Sequence, residues 1–190
     1  MEVTLKLEYE ERDFIQACIA RERWAQRKLY EDYYGSLMGL CLRYADNQDD
    51  ALDILHDGYI KIFRHIARYQ PGTSLIAWMR RIMVNTAIDY YRKKTRRRTE
   101  DLDAAQGVQS MNASVVSNMT TEEILQCIQE LSPAYRSVFN LYVIEGYSHK
   151  EIADILNITE STSRSNLVKA RIKLREMLAV LNNVYDKQGV

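Results

Sequence analysis

The chain has 190 residues, which suits one medium domain or two small ones, and its formal net charge is zero. Only 7 Gly and 2 Pro among many Leu, Ile, Ala, Arg and Glu residues indicate a helical protein. No apolar run approaches the roughly 18 residues that a membrane span requires. The acidic N-terminus lacks the apolar core of a signal peptide, so we expect a cytoplasmic protein without membrane insertion.

The cysteines Cys18, Cys41 and Cys127 lie far apart and form no Cys-x-x-Cys pair. This spacing suggests neither a zinc knuckle nor a disulfide framework. We therefore expect three reduced cysteines in hydrophobic cores, and neither a metal nor another cofactor.

Charge is unevenly distributed along the neutral chain. Basic residues gather in residues 92–98 and again in residues 164–175, where no acid intervenes, whereas acids crowd into residues 46–57 and 100–103. A zero total argues mildly against a free-standing nucleic-acid binder. Basic patches on a neutral chain fit a protein that binds DNA only together with a larger partner.

Helical periodicity with few breaks extends from residue 11 to about residue 94. A short apolar stripe is followed by a longer one, which is predicted to be the buried face of a helix. This longer stripe consists of Trp24, Leu29, Tyr30, Tyr33, Leu37, Leu40, Cys41 and Tyr44. A polar break at residues 47–50 precedes a second long helix, marked by Leu52, Leu55, Tyr59, Ile62, Phe63 and Ile66. A loop at residues 69–74, with Ser74 as an N-cap, leads to a third, marked by Leu75, Trp78, Met79, Ile82, Met83 and Tyr90.

Residues 95–120 are small, polar and aperiodic, which indicates a flexible linker. We therefore predict an all-α protein of two small helical domains, residues 1–94 and 121–190, joined by this linker. The second boundary is sharp, because Thr120 and Glu123 have the spacing of a capping box.

The second domain contains a helix that starts at Ser132-Pro133, an N-cap followed by proline at the first helical position. Gly146 is a natural stop after this helix. The residues predicted to face its core are Val138, Phe139, Leu141, Tyr142 and Ile144.

A helix-turn-helix is predicted next. Ser148 and Glu151 have capping-box spacing and open a short helix. Asn157 can take the left-handed conformation in the turn, and Thr159 caps a longer helix that extends to about Leu181. A short helix, a three-residue turn and a longer basic helix are typical of this DNA-binding motif.

The last helix has two faces. Leu167, Ala170 and Leu174 would hold it against the domain. The residues predicted to face a DNA major groove are Ser161, Thr162, Arg164, Ser165, Lys169 and Arg171. Arg can bind guanine bidentately, and Ser or Thr can donate or accept. A charged, solvated helix face is the alternative interpretation.

The whole chain resembles the sigma factors of the extracytoplasmic-function (ECF) group, over about residues 11–182. Their fourth domain, which reads the −35 promoter element, resembles LSPAYRSVFNLYVIEGYSHKEIADILNITESTSRSNLVKARIKLREML. In their second domain, the polymerase-binding helix is similar to DDALDILHDGYIKIF, and the −10 recognition and melting segment to PGTSLIAWMRRIMVNTAIDYYRKK. The order and spacing of these stretches also match.

The resemblance implies that core RNA polymerase is a partner, contacted through its clamp coiled coil and its flap. The polar stripe that would dock on the clamp consists of Asp49, Asp50, Asp53, His56, Asp57 and Lys61. An ordinary acidic surface is the alternative. The resemblance leaves open whether an anti-sigma factor also binds the chain.

Promoter DNA is the second implied partner. By their spacing, Trp78, Arg81, Asn85 and Arg92 share one side of the third helix, which suits unstacked single-stranded DNA. Arg68 begins a segment that resembles the family's specificity loop, which holds a flipped-out base. Trp78 alone is better explained as a core residue than as a DNA contact.

The chain departs from the family pattern at four positions. His56 stands where Gln is usual, Leu52 where an acid is usual, Asn157 where Gly is usual, and Ser163 where an apolar residue is usual. We expect Ser163 to loosen the packing of the last helix slightly, because a buried hydroxyl needs a hydrogen-bond partner.

Two other functional classes are weighed against this interpretation. A helix-turn-helix regulator that works without polymerase would share the C-terminal domain, but would leave the N-terminal half without a ligand pocket or a phosphoacceptor pattern. An enzyme is not expected, because His56, His65 and His149 are not spaced as a metal set and there is no Gly-rich phosphate loop.

Overall fold

A computed structural model describes residues 2–100 and 120–187 of the chain. These residues form helices and connecting turns, with no strand among them. They divide into two compact units, one ending at Ala87 and the other beginning at Ile88. Within the described part, no helix has the length and apolar character of a membrane span. The predicted all-α fold is confirmed.

The first unit contains α1 (Glu2–Ile19), α2 (Arg23–Tyr44) and α3 (Gln48–His65). A 3-10 turn (Ile66–Arg68) and the loop at residues 69–74 lead to α4 (Leu75–Glu100), which continues into the second unit. Cap hydrogen bonds confirm two of the predicted helix starts, those of α3 and α4. The Asn47 side chain accepts from the backbone N–H of Asp50 at 2.8 Å, and the Ser74 hydroxyl accepts from that of Ala77 at 3.3 Å.

The core of the first unit is built from the apolar stripes of its helices. Its fully buried side chains include Leu29, Leu37, Leu40, Ile54, Leu55, Ile62, Met79 and Met83. Each such side chain stabilises the fold by about 1.5–3 kcal/mol relative to exposure. Helices α3 and α4 approach closely at Gly58, where a Cβ atom would lie only 2.3 Å from the Met83 Sδ atom.

One residue of the predicted buried stripe is exposed. Trp24 is 56% exposed, because it lies on the outward side of the first turn of α2, whose inward side is covered at Ala25. Its ring contacts Phe14 at a centroid distance of 6.2 Å, and its Nε1–H donates to Glu22. The prediction that Trp24 is a core residue was wrong.

The predicted burial of the three cysteines is confirmed, and all three are free thiols. Burial raises the pKa of Cys18 to about 11 and that of Cys41 to about 12. It also raises the pKa of Cys127. These groups therefore remain protonated at neutral pH and pack as small apolar side chains.

The second unit contains α5 (Thr121–Glu130), α6 (Pro133–Phe139), a π-helical turn (Asn140–Ile144), α7 (His149–Leu156) and α8 (Glu160–Lys187). Its core includes a cluster of Cys127, Ile128, Leu131, Ala170 and Leu174. Both predicted capping boxes are present, one at Thr120 and Glu123 and one at Ser148 and Glu151.

The π-helical turn changes which residues of its segment face the core. Because a π turn inserts an extra residue per turn, it shifts the helical phase. Leu141 is fully buried, but Tyr142, Val143 and Ile144 are 36%, 46% and 37% exposed. The prediction that Tyr142 and Ile144 face the core was therefore wrong, whereas Val138 is buried as predicted.

Two helices extend further than the sequence pattern suggested. Helix α4 continues to Glu100, six residues into the segment predicted as a linker, and α8 continues to Lys187 rather than ending near Leu181. The extension of α4 is rich in arginine, a good helix former, which sustains a helix without an apolar stripe. The remaining linker residues, 101–119, lie outside the described part of the chain.

Candidate functional site

Helices α7 and α8 and the turn between them form the predicted helix-turn-helix. Asn157 takes the left-handed conformation, with φ 54° and ψ 50°, as predicted. The backbone N–H of Ile158 donates to the carbonyl of Ala153 at 3.0 Å. The Thr159 hydroxyl accepts from the N–H of Thr162 at 3.1 Å and so caps α8. These bonds fix the angle at which α8 leaves the turn.

Helix α8 separates an inward from an outward face, as its pattern predicted. Leu167, Ala170 and Leu174 are buried. All six residues predicted to face DNA are exposed: Ser161, Thr162, Arg164, Ser165, Lys169 and Arg171. The Arg164 guanidinium pairs with the Glu160 carboxylate at 2.8 Å, with both side chains largely exposed. Such an exposed pair is weak, so Arg164 can exchange it for another anion or a base.

The buried hydroxyl of Ser163 has a partner that the sequence did not indicate. Ser163 is fully buried, and its Oγ lies 2.9 Å from the Nδ1 of His149 at the start of α7. The His149 ring stacks on Tyr142, with the ring centroids 4.4 Å apart. The buried hydroxyl that we expected to loosen the packing therefore has a hydrogen-bond partner, and this bond joins the two helices of the motif.

His149 is held in its neutral form. Burial lowers the pKa of this imidazole, and the nearby cation Arg164 lowers it further. Glu160 acts in the opposite direction but less strongly. A neutral imidazole offers one donor and one acceptor, which suits a hydrogen bond with a hydroxyl.

The polar stripe on α3 is also on the surface. Asp49, Asp53, His56 and Asp57 are exposed, and Asp50 and Lys61 are half-buried. On the opposite side of the helix, Leu55, Tyr59 and Ile62 are buried, and Leu52 is half-buried. The predicted separation of the two faces is confirmed.

Ile60 completes this surface in a way that the polar pattern did not reveal. It is 56% exposed, and its spacing from Asp53, His56 and Asp57 places it on the same side of α3. An exposed apolar side chain amid charged ones has the composition of the centre of a protein interface. The signal in the sequence was an isoleucine out of phase with the buried stripe.

The outward face of α4 carries Arg81 and Asn85, both exposed, and Arg92, further along the same helix, is exposed as well. Trp78 is half-buried and packs against Tyr69, with ring centroids 5.7 Å apart. This agrees with the interpretation of Trp78 as mainly a packing residue. Arg68, at the end of the 3-10 turn, is exposed.

The loop at residues 69–74 is tied to α1 by Glu11. One carboxylate oxygen of Glu11 lies 2.7 Å from the Tyr69 hydroxyl, and the other accepts from the backbone N–H of Gly72 at 3.0 Å. The Tyr69 hydroxyl also lies within hydrogen-bond distance of the Thr73 carbonyl. Glu11 was not among the predicted site residues, because nothing in its local sequence indicates a partner 58 positions away.

Comparison with known proteins identifies both halves of the chain. The family model of sigma-70 region 2 matches residues 29–97, and that of sigma-70, region 4 matches residues 121–174. The first match covers most of α2, all of α3 and most of α4, and the second covers α5 to the middle of α8. The exposed stripes described above fall within these two matches.

Several similar proteins are themselves sigma factors. The ECF RNA polymerase sigma factor SigE of Mycolicibacterium smegmatis is 32% identical over 145 residues, which cover 74% of this chain and 56% of that relative. SigM of Mycobacterium tuberculosis, also an ECF sigma factor, is 25% identical over 170 residues, which cover 90% of this chain and 85% of that relative.

A solved structure has the same fold. The sigma factor RpoE of Bartonella quintana, crystallised with the anti-sigma factor NepR, matches with a TM-score of 0.53 at 20% identity. The match covers 81% of this chain and 96% of that one. The two family-model matches and the sigma-factor relatives together show that the chain belongs to the sigma-70 family, within its extracytoplasmic-function group, and is a sigma factor of transcription initiation.

Proposed function

We propose that this protein works in the cytoplasm, where it binds core RNA polymerase through α3, reads the −35 element through α8, and reads and melts the −10 element through α4 and the preceding loop. The observation that carries the proposal is the match of two sigma-70 regions, in the family's order, to the helices that expose these three surfaces. A regulator independent of polymerase would have no use for the first region.

On α3, the exposed stripe has the features of a docking surface. Asp53, His56 and Asp57 form a polar rim around the apolar Ile60. In protein interfaces a few buried anchor residues supply most of the affinity, and charged rims adjust association rate and salt dependence. We assign this stripe, with Asp49, Asp50 and Lys61, to the clamp coiled coil of the polymerase.

On α8, the amino-terminal turns present the groups that would read the −35 element. Helix-turn-helix proteins place the first residues of the second helix against base edges in the major groove. Arg164 lies in this position, and its guanidinium is held by an exposed ion pair with Glu160. We assign Ser161, Thr162, Arg164 and Ser165 to base reading, and Lys169 and Arg171 to the groove edge or the phosphates.

On α4, the exposed face would hold the opened −10 element. Arg81 and Arg92 supply cations for phosphate, and the Asn85 amide can read a base edge. Trp78 and Arg68 flank the loop at residues 69–74, which in this proposal holds a base that is flipped out of the stack. Flipping costs a few kcal/mol, which contacts in such a pocket must offset.

Binding to core polymerase tests the proposal most simply. The purified full chain is titrated against core polymerase, together with Asp53→Arg, Ile60→Ala and, as a control on another helix, Asp13→Arg. Asp13 is an exposed carboxylate on α1, so its substitution makes the same charge change away from the stripe. The two stripe variants should bind core polymerase at least about tenfold more weakly, and the control should bind like the wild type.

Wild-type affinity of both stripe variants at physiological salt would remove α3 from the interface. Failure of the wild-type chain itself to bind core polymerase would favour the regulator. A far-ultraviolet circular dichroism spectrum and a thermal transition for each variant show that the helices remain folded.

A further inference from the structure

Glu11 connects two parts of the first unit that are distant in sequence. It lies on α1, outside the segment that matches sigma-70 region 2, and its side chain is half-buried. Its two carboxylate oxygens have different partners in the loop at residues 69–74, the Tyr69 hydroxyl at 2.7 Å and the Gly72 backbone N–H at 3.0 Å. A single side chain thus holds both the start and the middle of this loop.

The loop is poorly able to hold its shape without such a partner. Gly72 has a φ of 90°, which glycine adopts without penalty but also leaves easily. Within the loop, Thr73 bonds the Gln70 carbonyl through its hydroxyl at 2.8 Å and its N–H at 3.3 Å, and its own carbonyl lies within hydrogen-bond distance of the Tyr69 hydroxyl. Glu11 supplies the bonds that tie the loop to α1.

Tyr69 transmits this restraint to α4. Its side chain is 5% exposed, and its ring packs against Trp78 at the start of α4. Burial and the hydrogen bond with Glu11 raise the pKa of the Tyr69 hydroxyl to about 12, so it keeps its proton. The hydroxyl side of Tyr69 therefore meets Glu11, and the ring side meets the helix that carries Arg81 and Asn85.

The opposite side of the loop faces solvent. Gln70, Thr73 and Ser74 are exposed, and so is Arg68 just before them. Side chains of these types donate and accept hydrogen bonds and can contact the edge of an unstacked base. The loop thus presents polar side chains to solvent, while the Glu11 carboxylate ties it to α1.

We propose that Glu11 is a positioning residue for reading the −10 element: by bonding Tyr69 and Gly72 it holds the loop at residues 69–74 in the conformation that discriminates between bases. The inference rests on the proposed role of this loop and α4 in −10 recognition. Glu11 acts through the loop and does not itself touch DNA.

The chemistry of the contact indicates informative substitutions. Glu11→Ala removes both bonds. Glu11→Gln keeps them, because the amide oxygen can accept from Gly72 while the amide N–H donates to the Tyr69 hydroxyl, which then donates to Thr73. Tyr69→Phe removes the hydroxyl that contacts Glu11 and the Thr73 carbonyl, leaves the Glu11 bond to Gly72, and keeps the ring against Trp78. Asp13→Ala is the matched control, an exposed carboxylate on the same helix.

The test measures base preference directly. Reconstituted holoenzymes with each variant are bound to a promoter template with a pre-opened bubble, whose non-template strand is randomised at the −10 element. Sequencing of the retained templates gives the preference for each base at each position. Affinity for core polymerase and the melting temperature of each variant are measured in parallel.

Loss of one or two hydrogen bonds should reduce the preference at one or two positions about three- to tenfold in Glu11→Ala. Tyr69→Phe should reduce the same preference less, and Glu11→Gln and Asp13→Ala should keep most of it. Affinity for core polymerase should be unchanged in all four.

Two results would overturn the inference. One is a wild-type preference profile in both Glu11→Ala and Tyr69→Phe. The other is an equal loss on all templates, since a merely structural role would weaken every sequence alike. If Glu11→Ala does not fold, the Tyr69→Phe profile decides alone. A wild-type holoenzyme without any base preference would instead contradict the proposed function of the loop.

Discussion

Arg164 on α8 carries the most specific expectation about DNA reading. It lies near the amino end of the helix and is paired with Glu160 at 2.8 Å, whereas Lys169 lies more than one turn further on. We expect Arg164→Ala to weaken binding to the preferred −35 element by about 1–3 kcal/mol and to relax specificity at one base position.

Lys169→Ala should behave differently. It should weaken binding to all sequences about equally, because a phosphate contact carries no base information. It should also reduce the slope of log K against log salt concentration by about one. Holoenzyme binding to −35 variants at several salt concentrations separates the two cases, with Lys173→Ala as a control on the same helix. A uniform loss in Arg164→Ala would make Arg164 a phosphate contact.

We expect His149 to make the stability of the second unit depend on pH. Its pKa is below the ordinary value of about 6.5, mainly through burial and then through Arg164. Below about pH 6.5 the unfolded chain therefore binds a proton that the folded chain does not, and stability falls as pH falls through the interval between the two pKa values.

His149→Gln should remove this contribution, because Gln can still bond Ser163 but does not titrate in that range. The melting temperature of the wild type should therefore fall relative to that of His149→Gln as the pH is lowered from 7.5 to 5.5. A difference that is constant over this range would show that His149 does not titrate in the fold as its surroundings require.

At the scale of elements, the packing of α3 on α4 depends on the absence of a side chain at Gly58. A methyl group there would lie 2.3 Å from Sδ and 2.6 Å from Cε of Met83. Gly58→Ala gains about 1 kcal/mol in helix propensity, but overpacking a buried contact costs about 1–3 kcal/mol. We expect the single substitution to destabilise the protein by about 1 kcal/mol.

Gly58→Ala should have the opposite effect on stability once Met83 is shortened. In a Met83→Ala background the methyl group meets no sulfur atom, so Gly58→Ala should stabilise the protein by about 1 kcal/mol. Urea unfolding of the four variants gives the coupling. An equal effect of Gly58→Ala in both backgrounds would mean that Met83 swings aside without cost.

Local signals made most elements predictable. The caps at Asn47, Ser74, Thr120 and Ser148 lie within three residues of their partners, and the left-handed Asn157 follows from its own side chain. The exposed faces of α3, α4 and α8 followed from periodicity. These features depend on few residues, so the sequence specifies them directly.

The features that escaped prediction lack a recognisable local signal. The π turn exposes Tyr142 and Ile144 by shifting the helical phase. Arg136 is 3% exposed, and its guanidinium donates to the carbonyls of Gln129 and Leu131 at the end of α5. Glu11 reaches a loop far along the chain, and these partners are brought near only by the completed fold.

At the scale of the whole molecule, a net charge of zero is consistent with a DNA-reading protein that works on a larger enzyme. In the proposed function, α4 and α8 each supply one promoter-reading surface, and a chain of zero net charge is expected to hold DNA only weakly unaided. The affinity for a promoter would then arise from two weak contacts whose effective concentration is set by the polymerase. Free chain should therefore bind promoter DNA far more weakly than holoenzyme does.

Run-off transcription tests the central claim most directly. Core RNA polymerase is incubated with a library of genomic fragments, with and without the purified chain, and the transcripts are sequenced. We predict discrete start sites that require both proteins and share two sequence elements upstream of the start. Transcripts no different from those of core polymerase alone, together with sequence-specific DNA binding by the free chain, would contradict the assignment as a sigma factor.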